Sequence, residues 1–429
     1  MRKMRIASQA ALLALSGIVT GLLSACGGDG SSSSSVRETV RTLTTLKSFA
    51  GVGPSDYAPA EIVAGTDGNL YGVILGGGAN GEYVTGSGNP DFGVPPKVFE
   101  PNTAGTAVKM TPTGEVTVIW NFGNDATDGL NPVSLIEGSD GNLYGTTFGG
   151  GVNGGLGMNP GGTVFQLTPT GVETVLASFG TGVGRDLGPN HLVEGVDGSL
   201  YGITGNGGVS RYVNGAYVAS GTVFKVTPQG VMTELWNFSA DGDGASPTTL
   251  VKGADGNLYG TTQWGGTIGY GTLFKLTTAG TETVVWSFCE GADGCGPNAL
   301  LQGSDGNLYG TTQGGGANHA GTIFQFNPAT GVLTRLWDFA PGVDQGVNPS
   351  GLAQGADGNL YGTTDASGLQ GSGTGGVLFE LSQGNKLTTL GIFNGRDVKP
   401  YSLVQGRDGY LYGVTAAGGT YNKGTLFRY

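Results

Sequence analysis

The hexapeptide Asp-Gly-x-Leu-Tyr-Gly occurs seven times, beginning at Asp67, Asp140, Asp197, Asp255, Asp305, Asp357 and Asp408. A recurring unit of about 50 residues cannot bury its apolar face alone and must stack against copies of itself. A second motif, Gly-Thr-x-Phe or a near variant, begins at Gly105, Gly162, Gly221, Gly271, Gly321, Gly376 and Gly424. A third, an alternating segment ending in Phe, closes at Phe122, Phe179, Phe238, Phe288, Phe339 and Phe393. Its seventh copy is absent from the C-terminus and stands instead at the N-terminus, ending at Phe49.

Each unit reads as four short strands. The segment before Asp-Gly is the first, and Asp-Gly is expected to form a two-residue type I′ hairpin turn, with positive φ at both residues. Leu-Tyr-Gly-Thr-Thr, rich in β-branched and aromatic residues, is the second. Gly-Thr-x-Phe opens the third, which ends at turns such as Thr111-Pro112-Thr113-Gly114. The Phe-terminated segment is the fourth. No segment after the N-terminal leader sustains a 3.6-residue period.

Seven such units predict an all-β, seven-bladed β-propeller of four-stranded antiparallel blades over residues 37–429. The displaced copy supplies the closure. Phe49 precedes Asp67 by 18 residues, the same interval as Phe122 to Asp140 and Phe179 to Asp197. The N-terminal strand is therefore in register as an outer strand without a blade. The chain ends at Phe427-Arg428-Tyr429 after a third strand without an outer one. Pairing the two completes the seventh blade. A parallel β-helix is the rival, but it does not explain this permutation.

The spacing also marks a working face. Intervals from each Gly-Thr motif to the next Asp-Gly are nearly constant, 35, 35, 34, 34, 36 and 32 residues. Those from Asp-Gly to Gly-Thr run 38, 22, 24, 16, 16, 19 and 16. Length variation thus concentrates between the second and third strands, on one face, where insertions in repeat folds often build the binding surface. The loops are residues 76–104, 148–161, 205–220, 263–270, 313–320, 365–375 and 416–423. They carry Tyr83, Phe148, Tyr212, Tyr217, Trp264, Tyr270, His319 and Tyr421, the candidate ligand-facing residues.

The chain begins with Arg2, Lys3 and Arg5, continues through an apolar run, and reaches Leu23-Ser24-Ala25-Cys26. A basic start, an apolar middle and a small-residue end are the marks of a secretory signal over residues 1–25. The last four residues resemble the lipobox of bacterial lipoproteins. That resemblance implies cleavage before Cys26, lipidation of its sulfur, and anchoring by two or more acyl chains, which hold where one does not. Residues 26–36 are the lipidated Cys and a Gly/Ser tether, whose nine residues Gly27 to Ser35 would span roughly 17 Å. The expected location is the cell envelope, lipid-anchored, at the outer membrane. Without the leader the chain holds 17 basic and 32 acidic residues, a net −15. That balance argues against nucleic acid as a partner. The 87 Gly residues lack a collagen period, and 38% hydrophobic residues argue against disorder.

The repeat resembles the GloVer tandem-repeat family of envelope proteins, which carry varied anchors. Its units hold Asp-Gly-Asn-Leu-Tyr-Gly-Thr-Thr, matched in full at Asp140, Asp255, Asp305 and Asp357, and Gly-Gly-Thr-Val-Phe runs. Copies at Asp67, Asp197 and Asp408 depart from it, as does Ala107-Val108 in the second motif. The resemblance covers residues 39–429 and implies a propeller and an anchored location. It supplies no activity. The Asp-Gly-Asn-Leu run is also similar to propellers of streptogramin lyases and of sensor-kinase periplasmic regions, in repeat grammar only.

The remaining chemistry is sparse. Cys289 and Cys295 flank one interblade loop, and in an oxidising envelope they are expected to form a local disulfide. The seven Asp of the hexapeptide read as turn formers, and its Tyr as core. His191 and His319 are the two histidines, and neither is placed as a base beside a nucleophile. Asp125, Asp128, Asp241 and Asp243 are weak calcium candidates without a twelve-residue EF-hand loop. No cofactor and no other metal site is expected. The reading is therefore a monomeric, non-catalytic module that binds glycan or protein through its variable-loop face. Two alternatives stand beside it: a polysaccharide lyase or glycosidase using acidic residues, and a structural scaffold of an envelope complex.

Overall fold

The computed structural model describes residues 41–50, 58–76, 82–84, 98–100, 104–125, 127–152, 161–180, 188–205, 207–209, 211–213, 216–218, 220–239, 242–291, 293–341, 345–366, 374–394 and 398–429. The leader, Cys26, the tether and Asp241 lie outside the described residues. Seven four-stranded antiparallel sheets are the blades of a propeller. The second blade is representative, with strands Gly129–Glu137, Leu143–Gly150, Thr163–Leu167 and Glu173–Ser178 from the inside out. The first strands of successive blades pack side by side, and that of blade seven meets that of blade one, so seven inner strands encircle an axis. Among the described residues there is no helix.

The ring closes where the sequence places it. Thr44–Ser48 pairs with Thr425–Arg428 as the outer strand of blade seven, beside Leu411–Thr415 and Pro400–Gln405. The N–H of Phe49 donates to Gly424 O at 3.1 Å, as that of Phe122 does to Gly105 O within blade one. The borrowed strand thus repeats the bonding of a resident one, and Phe49 is fully buried.

The hexapeptide turn departs from expectation. Gly65 N–H donates to Asn69 O and Gly68 N–H to Gly65 O, and only Gly68 takes a positive φ, +83°. This is a three-residue loop with Gly in the left-handed position, not a type I′ pair. Asp67 is left in ordinary backbone geometry, so its carboxylate is free to gather the turn. It accepts from Asn69 N, Asn69 Nδ2, Tyr71 Oη and Lys109 Nζ at 2.8–2.9 Å. Tyr71 is therefore both core and anchor, its ring buried and its hydroxyl bonded across the turn.

The glycines of the second and third strands also have specific partners. Gly145 lies opposite Phe165 in the ladder, and a Cβ on Gly145 would sit 2.3 Å from the Phe165 ring. The Gly of Gly-Thr-x-Phe faces the next blade: a Cβ on Gly162, at φ +107°, would sit 2.9 Å from Pro189. The Thr that follows it completes a buried pair, Thr163 with Thr147 at 2.9 Å between hydroxyls. Across six of the seven seams the closing Phe of one blade meets the motif Phe of the next, as Phe122 meets Phe165 edge-on with centroids 5.0 Å apart. Such pairs add about 0.5–1.5 kcal/mol beyond their burial.

A second set of bonds stitches the blades at the Asp-Gly end. Glu137 accepts from Thr66 N, Glu194 from Ser139 N, Gln302 from Ala254 N, Gln354 from Ser304 N and Gln405 from Ala356 N, all at 2.8–2.9 Å. Each acceptor ends an inner strand and reaches back to the preceding turn. The same position holds Lys252 in blade four and Ala64 in blade one, neither of which can accept.

Candidate functional site

Each inner strand runs from the variable-loop end of the ring to the Asp-Gly end, so both the variable loops and the interblade connections gather at the first. Among the described residues, the exposed aromatic side chains all lie there: Phe148, Trp264, Tyr270 and Tyr421, at 47–59% of full exposure. Trp264 and Tyr270 share one loop, pinned by a bridge between Gly265 and Tyr270 and by the N–H of Gly296 donating to Tyr270 O at 2.9 Å. Phe148 packs beside Gly188 of the following connection. His319 is exposed at the tip of its loop, with φ +58°. Tyr421 stands on blade seven. Phe148, the Trp264–Tyr270 pair, His319 and Tyr421 thus occupy four blades around one rim.

Two variable loops contain ribbons that the repeat does not predict. Tyr83 pairs with Phe99 between strands Glu82–Val84 and Val98–Glu100, and Tyr212 pairs with Tyr217 between Arg211–Val213 and Ala216–Val218. These hairpins belong to the two longest insertions, as expected of segments that must form local structure to extend beyond a blade.

Cys289 and Cys295 are joined in a disulfide, with Cα atoms 4.8 Å apart. The bridged loop is further held by Trp286 Nε1 donating to Asp293 Oδ2 at 2.8 Å. The turn acids of the other connections are occupied by their own loops. Asp125 Oδ1 accepts from Thr127 N and Oγ1, Asp128 from Asn124 N and Gly129 N, and Asp243 from Ser239 N and Oγ. Among the described residues no group of three His, Cys, Asp or Glu is arranged to hold a metal ion.

A row of polar residues that the repeat pattern conceals lines the axis. Each inner strand has a Pro at or near its start, and two residues later stand Glu61, Ser134, His191, Thr249 and Ser402, with Ala299 and Gly351 at the two places that are not polar. Glu61 reaches the neighbouring strand, accepting from Leu135 N at 2.9 Å, and Ser402 Oγ accepts from Ile62 N at 3.2 Å. Ser134 Oγ, His191 Nδ1 and the nearby Asn190 Oδ1 have no protein partner. Glu61 and His191 are partly buried by area and closely surrounded by protein. Burial pushes the Glu61 carboxyl up to about 7, against the opposing bond from Leu135 N, and lowers His191 to about 4. No motif marks these residues. Aligning the seven strands on their prolines was the signal that could have found them.

These features define a seven-bladed propeller with an aromatic rim and a polar axis. A family model described as the Gloeobacter/Verrucomicrobia repeat matches residues 92–302 and 289–429, and the chain belongs to that family. No curated protein matches the sequence. Among solved structures, a streptogramin B lyase superposes with a TM-score of 0.55 at 15% identity, over 90% of this chain and 96% of that one. The extracellular domain of BT3049 from B. thetaiotaomicron gives 0.56 at 11% identity, over 90% of this chain but only 41% of the other. The WD40 propeller domain of Doa1 gives 0.53 at 9%, over 90% and 96%. At such identities the likeness is one of fold, and propellers of this shape serve unlike activities.

Proposed function

We propose that this propeller is a non-catalytic ligand-binding or interaction module of the bacterial cell envelope, acting on glycan or protein through its variable-loop rim. The observation that carries the reading is the one-sided placement of Phe148, Trp264, Tyr270 and Tyr421. A large aromatic side chain left half in water forfeits burial free energy, and a partner that covers it recovers that contribution. The disulfide supports an oxidising compartment. The lipobox-like Leu23 to Cys26 supports an anchor of the outer membrane.

Arrays of glycans and of envelope proteins, probed with the wild type and with Trp264→Ala/Tyr270→Ala, test the rim. Binding that falls at least tenfold in the double variant supports the reading, and a wild type without any ligand favours the scaffold. Labelling with an alkyne fatty acid that is lost in Cys26→Ser tests the anchor. A second reading, an enzyme, is favoured by one observation: the inner strands carry Glu61, whose carboxyl burial pushes up to about 7, with Ser134 on the next strand and His191 on the one after. Release of product from polysaccharide, abolished by Glu61→Gln, would establish it.

A further inference from the structure

The end of the ring opposite the rim carries two adjoining clefts, and the turns explain why they are there. In blades one to four, the Gly that closes the turn between third and outer strands lies against the preceding blade. A Cβ on Gly114, Gly171, Gly230 or Gly280 would sit 2.9, 2.5, 2.8 or 3.1 Å from the carbonyl oxygen of Leu46, Ile119, Leu176 or Leu235. That contact seals the seam. Blade six has the same turn, with Ser382 N–H donating to Lys386 O and Asn385 N–H to Ser382 O, but Asn385 occupies the Gly position at φ +57°. A side chain cannot enter a gap that rejects a single Cβ, so the turn stands off. Leu336, the counterpart of Leu46 and Ile119, then lines an open cleft of about 330 Å³ between blades five and six. Blade five replaces the turn with Asn327-Pro328-Ala329-Thr330-Gly331, and a second cleft of about 420 Å³ opens between blades four and five. The two share Asp305. Both fall within the ~300–1,000 Å³ typical of small-molecule sites.

The lining is made of fixed amides. Gln325 Nε2 donates to Tyr309 Oη and Gln383 Nε2 to Asp357 O, each at 2.9 Å, which orients both side chains and leaves their Oε1 atoms open. Asn327 Oδ1 accepts from Ala329 N and Thr330 N, leaving its Nδ2 hydrogens as donors. Leu336 and Leu381 supply an apolar floor. Among the described residues no Lys or Arg lines either cleft, although Lys275 pairs with Asp255 on the blade-four wall of the second, as Lys109 and Lys225 pair with Asp67 and Asp197 in blades one and three. At the junction of the clefts the Asp305 carboxylate, which no cation balances, disfavours anionic ligands. Turn ends without a free strand edge disfavour an extended peptide, which binds by backbone pairing.

We propose that these contiguous clefts form a second binding site, for a neutral oligosaccharide lying across the Asp305 turn. Preoriented amide donors and acceptors match its hydroxyls, and the Leu floor matches the apolar faces of its rings. The site is independent of the rim and lies on the opposite end of the ring.

The test is saturation-transfer NMR on the full chain with four neutral hexasaccharides, cello-, malto-, manno- and xylohexaose, and with hexagalacturonate as the charged control. At least one neutral hexamer is expected to bind saturably, and its affinity is expected to fall tenfold or more in Gln325→Ala/Gln383→Ala. The variant Gln383→Pro/Gly384→Thr/Asn385→Gly, which restores the sealing turn, is expected to abolish binding while melting no lower than wild type. Trp264→Ala/Tyr270→Ala is expected to leave it unchanged. No saturable binding of any of the four up to about 10 mM overturns the proposal, as does preference for hexagalacturonate. Binding lost only in the rim variant overturns it too, and would support the rim reading instead.

Discussion

Gly145 and Phe165 face each other across the second and third strands of blade two, and the Phe165 ring covers the Cα of the glycine. The pair recurs as Gly202–Phe224, Gly260–Phe274, Gly310–Phe324, Gly362–Phe379 and Gly413–Phe427. Two motifs that are separate in each repeat thus form one packing unit, and the same Phe also meets the closing Phe of the preceding blade. Blade one is the exception, with Val108 opposite Gly72 and Met110 filling the space.

Gly310→Ala is expected to destabilise the protein by about 1–3 kcal/mol, because its Cβ would fall 2.3 Å from the Phe324 ring. Gly310→Ala/Phe324→Leu should recover part of that loss. Chemical denaturation of both variants checks the pair; equal stabilities for Gly310→Ala and wild type would disprove the contact.

Deletion of residues 41–50 is expected to yield an open ring that aggregates, since it removes the outer strand of blade seven and the buried Phe49. Size-exclusion chromatography and a thermal melt report the outcome. A monomeric product that melts as the wild type does would remove the case for closure.

Lys252→Gln is expected to stabilise the ring by about 0.5–1.5 kcal/mol, the net value of one hydrogen bond. It places an acceptor where Gln302, Gln354 and Gln405 already bind the preceding turn, here the N–H of Val196. Lys252→Leu, which has no acceptor, should not produce the gain.

Stability is expected to fall at both ends of the pH scale, for opposite reasons. Burial would raise Asp197 and Asp255, but bonds from Lys225, and from Asn257 and Lys275, outweigh it and hold both carboxyls near 2. Their contribution is complete above the ordinary value of 3.8 and is lost as pH falls toward 2. Burial, with Asp128 and Asp125 nearby, pushes Glu173 up to about 8, and burial with Asp243 pushes Glu282 to about 7. The fold favours their protonated forms, so that contribution is complete below 4.5 and disappears as pH rises through 7 and 8. Glu173→Gln/Glu282→Gln should flatten the alkaline decline in a series of melts and leave the acid one in place.

Reduction of the Cys289–Cys295 bridge, or its replacement by Cys289→Ser/Cys295→Ser, is expected to cost about 2 kcal/mol, the loop-closure value for a short loop. The change should be local. Hydrogen exchange should quicken around residues 289–295 and stay constant in blades one and two.

The architecture was legible because a repeat carries its own alignment: seven hexapeptides fix seven turns, and the interval from Phe49 to Asp67 fixes the partner of the last strand. Turn chemistry was less so. Asp-Gly suits several hairpins, and only the bond from Gly65 to Asn69 shows that Asp67 keeps ordinary backbone geometry while gathering the turn. The rim residues were found by loop length, but their mutual placement depends on insertions that follow no repeat. The axial row and the open clefts were hidden for a different reason. Glu61, Ser134 and His191, and likewise Asn385, are departures at single positions, and a search for recurrence passes over what does not recur.

Because Thr44–Ser48 is mated to Thr425–Arg428, the seventh blade is assembled only from both ends of the ring. A product cut short by even a few C-terminal residues, up to Thr425, offers its opening strand nothing to bind, and the seventh blade presents bare edges. Such a fragment bares strand edges that the intact ring keeps paired, so loss of a handful of residues at one end is felt at the other.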